Sequence, residues 1–250
     1  WTERNATWPL DDSSVSYPTF ENLYPEGRLA PAMVYLAASE EILMFGGDRR
    51  KGDNPYDDTW RWHDGAWEAV SLADPGNDGA PAARTFHQMV YDSTRDKAYM
   101  FGGSSEIDYP EPGVPEYNCG PNNTSLINNK CFYEDLWEWD NVTSDWVVPT
   151  ITDALGDGNP AARKQHGMVY DEDRDVVVLF GGMVELPLGT ACPDGSDSYP
   201  DDHFTPCFFN DHWEWHPSSG EWEKIVFADT GPDNYPEGRA GHGMAYDSHR

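Results

Sequence analysis

Arg163-Lys164-Gln165-His166-Gly167-Met168-Val169-Tyr170 has a close counterpart in Arg84-Thr85-Phe86-His87-Gln88-Met89-Val90-Tyr91. Two more copies run from Arg28 to Tyr35, with Pro31 in the His place, and from Arg239 to Tyr246, with Ala245 in the Val place. Eleven residues after each of the first three tyrosines stands the first Gly of Phe45-Gly46-Gly47, Phe101-Gly102-Gly103 and Phe180-Gly181-Gly182. Then come Trp60/Trp62, Trp137/Trp139 and Trp213/Trp215, followed by Trp67, Trp146 and Trp222, each 17 residues before the next Arg. Self-similarity of this kind marks a repeat architecture, in which a unit buries its apolar faces against its neighbours.

Each unit reads as four short strands. In the second they are an apolar run at Met89 to Tyr91, another from Lys97 to Phe101, an alternating aromatic run from Asp135 to Trp139, and a last strand at Trp146 to Val148. Asp92 to Asp96 and Asn141 to Asp145 supply the Asp, Asn and Ser that tight turns favour.

Arg239-Ala240-Gly241-His242, the Gly pairs, Asn210-Asp211 before Trp213 and the spaced tryptophans resemble Kelch repeats over essentially the whole chain. The resemblance implies an all-β fold, a Kelch-type β-propeller of the galactose-oxidase-like kind, with strand one nearest the axis and strand four outermost. About three full blades are expected, with partial blades at both ends. Residues 1–27 read as a fourth strand (Asn5 to Leu10) and linker, 28–83 as blade one, 84–162 as blade two, 163–238 as blade three, and 239–250 as the first-strand segment of the next. Three blades do not close a ring, so the remaining blades are expected from the same longer chain or from a neighbouring subunit.

The chain has 250 residues with 45 acidic against 16 basic side chains, a formal net charge of −29. That field repels phosphate, which argues against nucleic acid and anionic lipid as partners. Aromatics reach 14%, with eleven Trp, so the chain has rings to bury and is not disordered. No apolar run approaches the roughly 20 residues of a membrane span.

Four cysteines fall as two local pairs, Cys119 with Cys131 and Cys192 with Cys207, without zinc-knuckle or redox spacing; disulfides are the simplest reading. Four sequons, at Asn5, Asn122, Asn123 and Asn141, add to the expectation of an extracellular or secretory-lumen glycoprotein.

Repeat lengths are unequal, and the excess lies between strands two and three of blades two and three. These inserts, Glu106 to Phe132 and Val184 to Phe209, each hold a cysteine pair, and they are the first candidate binding loops, with Tyr109, Tyr117, Tyr199 and Phe204 as contact residues. Arg49-Arg50-Lys51 in the shorter loop of blade one is a candidate anion contact, or else a solvated tip. The acidic pairs Asp74/Asp78, Asp153/Asp157 and Asp229/Asp233 offer oxygen ligands for calcium, although Asp beside Gly is equally a turn residue and no EF-hand spacing is present. No other cofactor is indicated.

His87, His166 and His242 share one repeat position beside the recurrent Arg, which points to a repeated hydrogen-bonding role rather than catalysis. No nucleophile, base and orienting group stand together outside the repeated framework. The expected function is a non-catalytic binding or assembly module that recognises an extracellular protein or glycan through the inserts. The alternatives are the propeller portion of a secreted carbohydrate-active or copper-dependent enzyme, and a structural subunit of an extracellular assembly.

Overall fold

The computed structural model describes residues 24–48, 55–74, 79–106, 125–127, 130–193, 196–198, 203–227 and 236–249. Among them every regular element is a strand. Blade one is β1 (Ala32–Leu36), β2 (Glu41–Phe45), β3 (Thr59–His63) and β4 (Ala66–Ala69), antiparallel and in that order. In blade two, β5 (Gln88–Asp92) and β6 (Lys97–Phe101) are followed by an insert of β7 (Ser104–Glu106), β8 (Ser125–Ile127) and β9 (Lys130–Phe132). Then β10 (Leu136–Asp140) and β11 (Asp145–Val147) complete the blade in the order β5-β6-β10-β11. Blade three repeats the plan with β12 (Gly167–Asp171), β13 (Val176–Phe180), the insert β14 (Met183–Pro187), β15 (Ser196–Ser198) and β16 (Phe204–Phe209), then β17 (His212–His216) and β18 (Glu221–Ile225).

The inserts, read above as loops, are therefore two small antiparallel sheets, ordered β7-β9-β8 and β14-β16-β15. Each begins directly after the Gly pair, whose residues adopt φ of 69° and 96° in blade two and 67° and 97° in blade three. That left-handed corner redirects the chain out of the blade without a Cβ penalty, and the cross-strand pair Val184 and Cys207 is then buried. The stretch 236–249 contains no strand among its described residues. A first strand exists by pairing with a second, and among the described residues none is paired with it. Asn5 to Leu10 lies outside the described residues. No described helix is long and apolar enough to cross a membrane.

The core lies between the blades. Leu36, Leu43 and Phe45 of blade one pack with Met89, Trp139 and Trp146 of blade two, and Tyr99 and Phe101 of blade two pack with Met168, Leu179, Trp215 and Trp222 of blade three. Trp146 meets Phe45 edge-on at 5.6 Å and donates its indole N–H to the Thr59 hydroxyl at 3.0 Å, while Trp222 meets Phe101 at 5.4 Å.

One polar constellation recurs in all three blades. The guanidinium of Arg84 donates to both carboxylate oxygens of Asp135 at 2.6 and 2.7 Å, to the Gly102 carbonyl at 3.1 Å and to the Ala82 carbonyl at 3.0 Å. It also stacks on the Tyr133 ring at 4.2 Å, and the Trp137 indole donates to Asp135 at 2.7 Å. Arg28, Asp58, Tyr56 and Trp60 repeat this in blade one, and Arg163, Asp211, Phe209 and Trp213 in blade three. Arg84 and Arg163 are wholly buried. Removing one partner of such a pair strands a charge away from water, at roughly 3–5 kcal/mol. Asp135→Asn is expected to lose at least about 3 kcal/mol in urea denaturation, against under about 0.5 for the exposed Asp57→Asn. Equal small losses in both would show that the clasp does not hold the blade.

Candidate functional site

The third residue of each repeat, two after the Arg, adopts a left-handed backbone: Ala30 (φ 48°), Phe86 (φ 58°), Gln165 (φ 57°) and Gly241 (φ 69°). Their peptide groups form a ladder from blade to blade, Phe86 N–H to the Ala30 carbonyl at 3.2 Å, Gln165 N–H to Phe86 at 2.9 Å, and Gly241 N–H to Gln165 at 2.8 Å. The ladder rims a cavity of about 250 Å³ with Pro31, Gln88 and the three repeat histidines in its walls. Gly suits this conformation without strain, and a bulky aromatic is an outlier in it. Phe86 accepts that strain with 36% of its surface exposed, so packing does not repay it in full.

The histidines do not play the hydrogen-bonding part expected of them, which falls to the arginines. Among the buried side chains, both ring nitrogens of His87, His166 and His242 lack a well-formed hydrogen bond. The rings act as apolar plates instead: His87 stands edge-on to Phe45 at 5.7 Å, His166 to Phe101 at 5.6 Å and His242 to Phe180 at 5.6 Å, always across a blade boundary. The first Gly of each pair makes room, since a Cβ on Gly102 would come within 2.9 Å of the His166 ring.

Burial, reinforced by the Arg84 charge and only weakly opposed by the Phe45 carbonyl, pushes His87 down to about 3. Burial and Arg163 lower His166 in the same direction. The unfolded chain, whose histidines titrate near 6.5, therefore binds more protons than the native state between that value and about 3. Stability falls as pH drops through this window, by roughly 2 kcal/mol per such histidine between pH 6.5 and 5. Urea midpoints should fall over that interval, and His87→Phe should have a shallower slope. A wild-type slope unchanged in His87→Phe would contradict the burial of a neutral ring.

The inserts lie on the same side as the ladder, because Thr85 bridges to Ser104 and Lys164 to Met183, where each insert begins. Cys192 and Cys207 form a disulfide within the blade-three insert, with Cα atoms 5.6 Å apart. Cys131 is also disulfide-bonded, and Cys119 lies outside the described residues. Phe204 is half-buried at the start of β16, with the Lys130 ammonium 5.9 Å from its ring. Arg49, Arg50, Lys51, Tyr109, Tyr117, Tyr199, Asn5, Asn122 and Asn123 lie outside the described residues. Asn141 heads the β10–β11 turn, followed by exposed Val142 and Thr143.

Of the acidic pairs, Asp153 accepts from the backbone N–H of Gly156 at 2.8 Å, Asp157 from Lys224 at 2.7 Å and Asp74 from Gly79 at 3.3 Å. These are loop-shaping contacts; Asp78, Asp229 and Asp233 lie outside the described residues. Sequence reading placed Asp135 and Asp211 in the repeat but gave neither them nor Asp58 a role, although aromatic-x-Asp-x-Trp is visible in all three units. It overlooked Phe86 because backbone handedness leaves no trace in composition.

With this geometry in view, comparison with known proteins decides the family. A model of the KLHDC2/KLHL20/DRC7 Kelch-repeats domain matches residues 5–250. The chain belongs to the Kelch-repeat family. A Kelch domain typically mediates protein binding. Among curated proteins the chain is 29% identical over 161 residues to Mei4-dependent protein 6 of Schizosaccharomyces pombe, covering 62% of this chain and 19% of that protein. It is 28% identical over 167 residues to the host cell factor homolog hcf-1 of Caenorhabditis elegans, covering 64% and 19%. The match thus spans about a fifth of the length of these relatives. The solved structure of YjhT shares the fold at 15% identity and a TM-score of 0.50, over 87% of this chain and 56% of that one.

Proposed function

We propose that this Kelch segment is a non-catalytic module of a secreted protein that binds a protein or glycan partner on the face carrying the ladder and the two inserts. The observation that carries the reading is Phe86, an exposed aromatic held in a strained left-handed backbone at the cavity on that face. Strain that packing does not repay is a mark of functional positions. Departures from the repeat concentrate on the same face, where rigid blades present variable sheets. The Cys192–Cys207 disulfide and the exposed turn at Asn141 support an oxidising, glycosylating compartment.

Phe86→Gly relieves the backbone strain while removing the ring. Its expected signature is a stability equal to wild type or about 1 kcal/mol higher, together with loss of partners. The test uses quantitative cross-linking with secreted protein as bait and compares Phe86→Gly with Val142→Lys in the exposed β10–β11 turn. Partners kept by both variants would reject the site, and an intact mass equal to the bare polypeptide would reject glycosylation.

A second reading, that an open blade edge joins a further blade of the same chain or of a neighbouring subunit, rests on a contrast in burial. Met33 is 57% exposed, whereas its counterparts Met89 and Met168 are 8% and 7% exposed, each covered by the preceding blade. Tyr35 is likewise 54% exposed. If a blade covers this edge in the native particle, Met33→Asp lowers the melting temperature about as much as Met89→Asp, by several degrees. A harmless Met33→Asp beside a damaging Met89→Asp leaves the edge open and defeats the assembly reading.

A further inference from the structure

We propose that the two inserted sheets form one cooperative unit, locked at their seam by Lys130, Glu185 and Lys164, which opens separately from the blades beneath. Glu185, on β14 of the blade-three insert, is 8% exposed. One of its oxygens accepts from the Lys130 ammonium of β9, in the blade-two insert, at 2.9 Å. The other accepts from Lys164 at 2.7 Å, at the root of blade three.

The repeat does not explain this triad. The position of Lys164 holds Leu29, Thr85 and Ala240 in the other copies, so although Glu106 stands in blade two where Glu185 stands in blade three, three residues after the Gly pair, it has no lysine at the repeat position to meet. Both cations also cross the seam to a ring: Lys164 stands 5.3 Å from Phe132 of the blade-two insert, and Lys130 stands 5.9 Å from Phe204 of the blade-three insert. Below them Phe132 shares a buried apolar cluster with Val184, Cys207 and Phe209, again from both inserts. The backbone of β8 runs beside β14.

Burial opposes ionisation of Glu185, and the two lysines overcome it, so the carboxyl stays below its ordinary range and charged. Neutralising it leaves two ammonium groups facing each other with little water, a change that acts on both inserts at once. The Cys192–Cys207 disulfide lies within one insert and cannot substitute for the seam. Each insert leaves its blade through a Gly corner, so opening at the seam need not unpair the ladders of the blades.

Hydrogen exchange on the whole chain, read by mass spectrometry, tests this. Glu185→Gln should speed exchange of β9 as well as β14 and β16 roughly ten-fold or more, while β6, β10, β13 and β17 keep wild-type rates. Lys130→Gln, a milder change on the opposite insert, should speed β14 reciprocally and serves if Glu185→Gln folds poorly. The proposal is overturned if Glu185→Gln accelerates only its own insert, if Lys130→Gln leaves β14 unchanged, or if blades and inserts accelerate together.

Discussion

A buried arginine organises each blade. Its planar fork meets a carboxylate with two hydrogen bonds, a carbonyl at the Gly corner with a third, and a carbonyl two residues upstream with a fourth, while its face rests on an aromatic ring. Lysine offers a point charge and no fork, so it cannot hold the start of strand one, the corner after strand two and the start of strand three in one arrangement. The Trp two residues after the Asp is then oriented by the same carboxylate. Strand pairing and interblade packing both follow from these three fixed points.

Blade-to-blade contact is built on the same corners. Gly47, Gly103 and Gly182 donate to the carbonyls of Arg84, Arg163 and Arg239 at 2.8 Å, so the residue that clasps one blade also hydrogen-bonds the blade before it. Each histidine plate then covers the preceding Phe and Gly corner. A buried neutral ring without strong partners gives dispersion contact but makes the native state intolerant of protons. The acid sensitivity expected of the fold is thus a consequence of how its blades stack.

The proposed binding face is where the copies of the repeat differ most. The clasp and strand positions recur from blade to blade, whereas the aromatic side chain at Phe86, the inserts and Lys164 differ between copies. They share one face because the loops between strands two and three, and those between blades, emerge there together. The strong negative charge favours cationic partners in long-range encounter.

The order and number of blade strands were legible in the sequence, because period-two alternation and fixed spacings are local consequences of strand geometry. The position of the inserts was legible too, as excess length between the Gly pair and Trp-x-Trp, but not their sheet structure. The Arg–Asp clasps join residues 30, 51 and 48 positions apart, and the seam joins Lys130 to Glu185 across 55. Such pairs depend on how the blades turn their corners and stack, and residue order does not encode that turn by turn. The sequence by itself therefore determined a Kelch array with two insertions. Tertiary structure decided which charges meet, which histidines lose their partners, and that Phe86 faces outward on a left-handed backbone, because each of these depends on distances through space between separately folded strands.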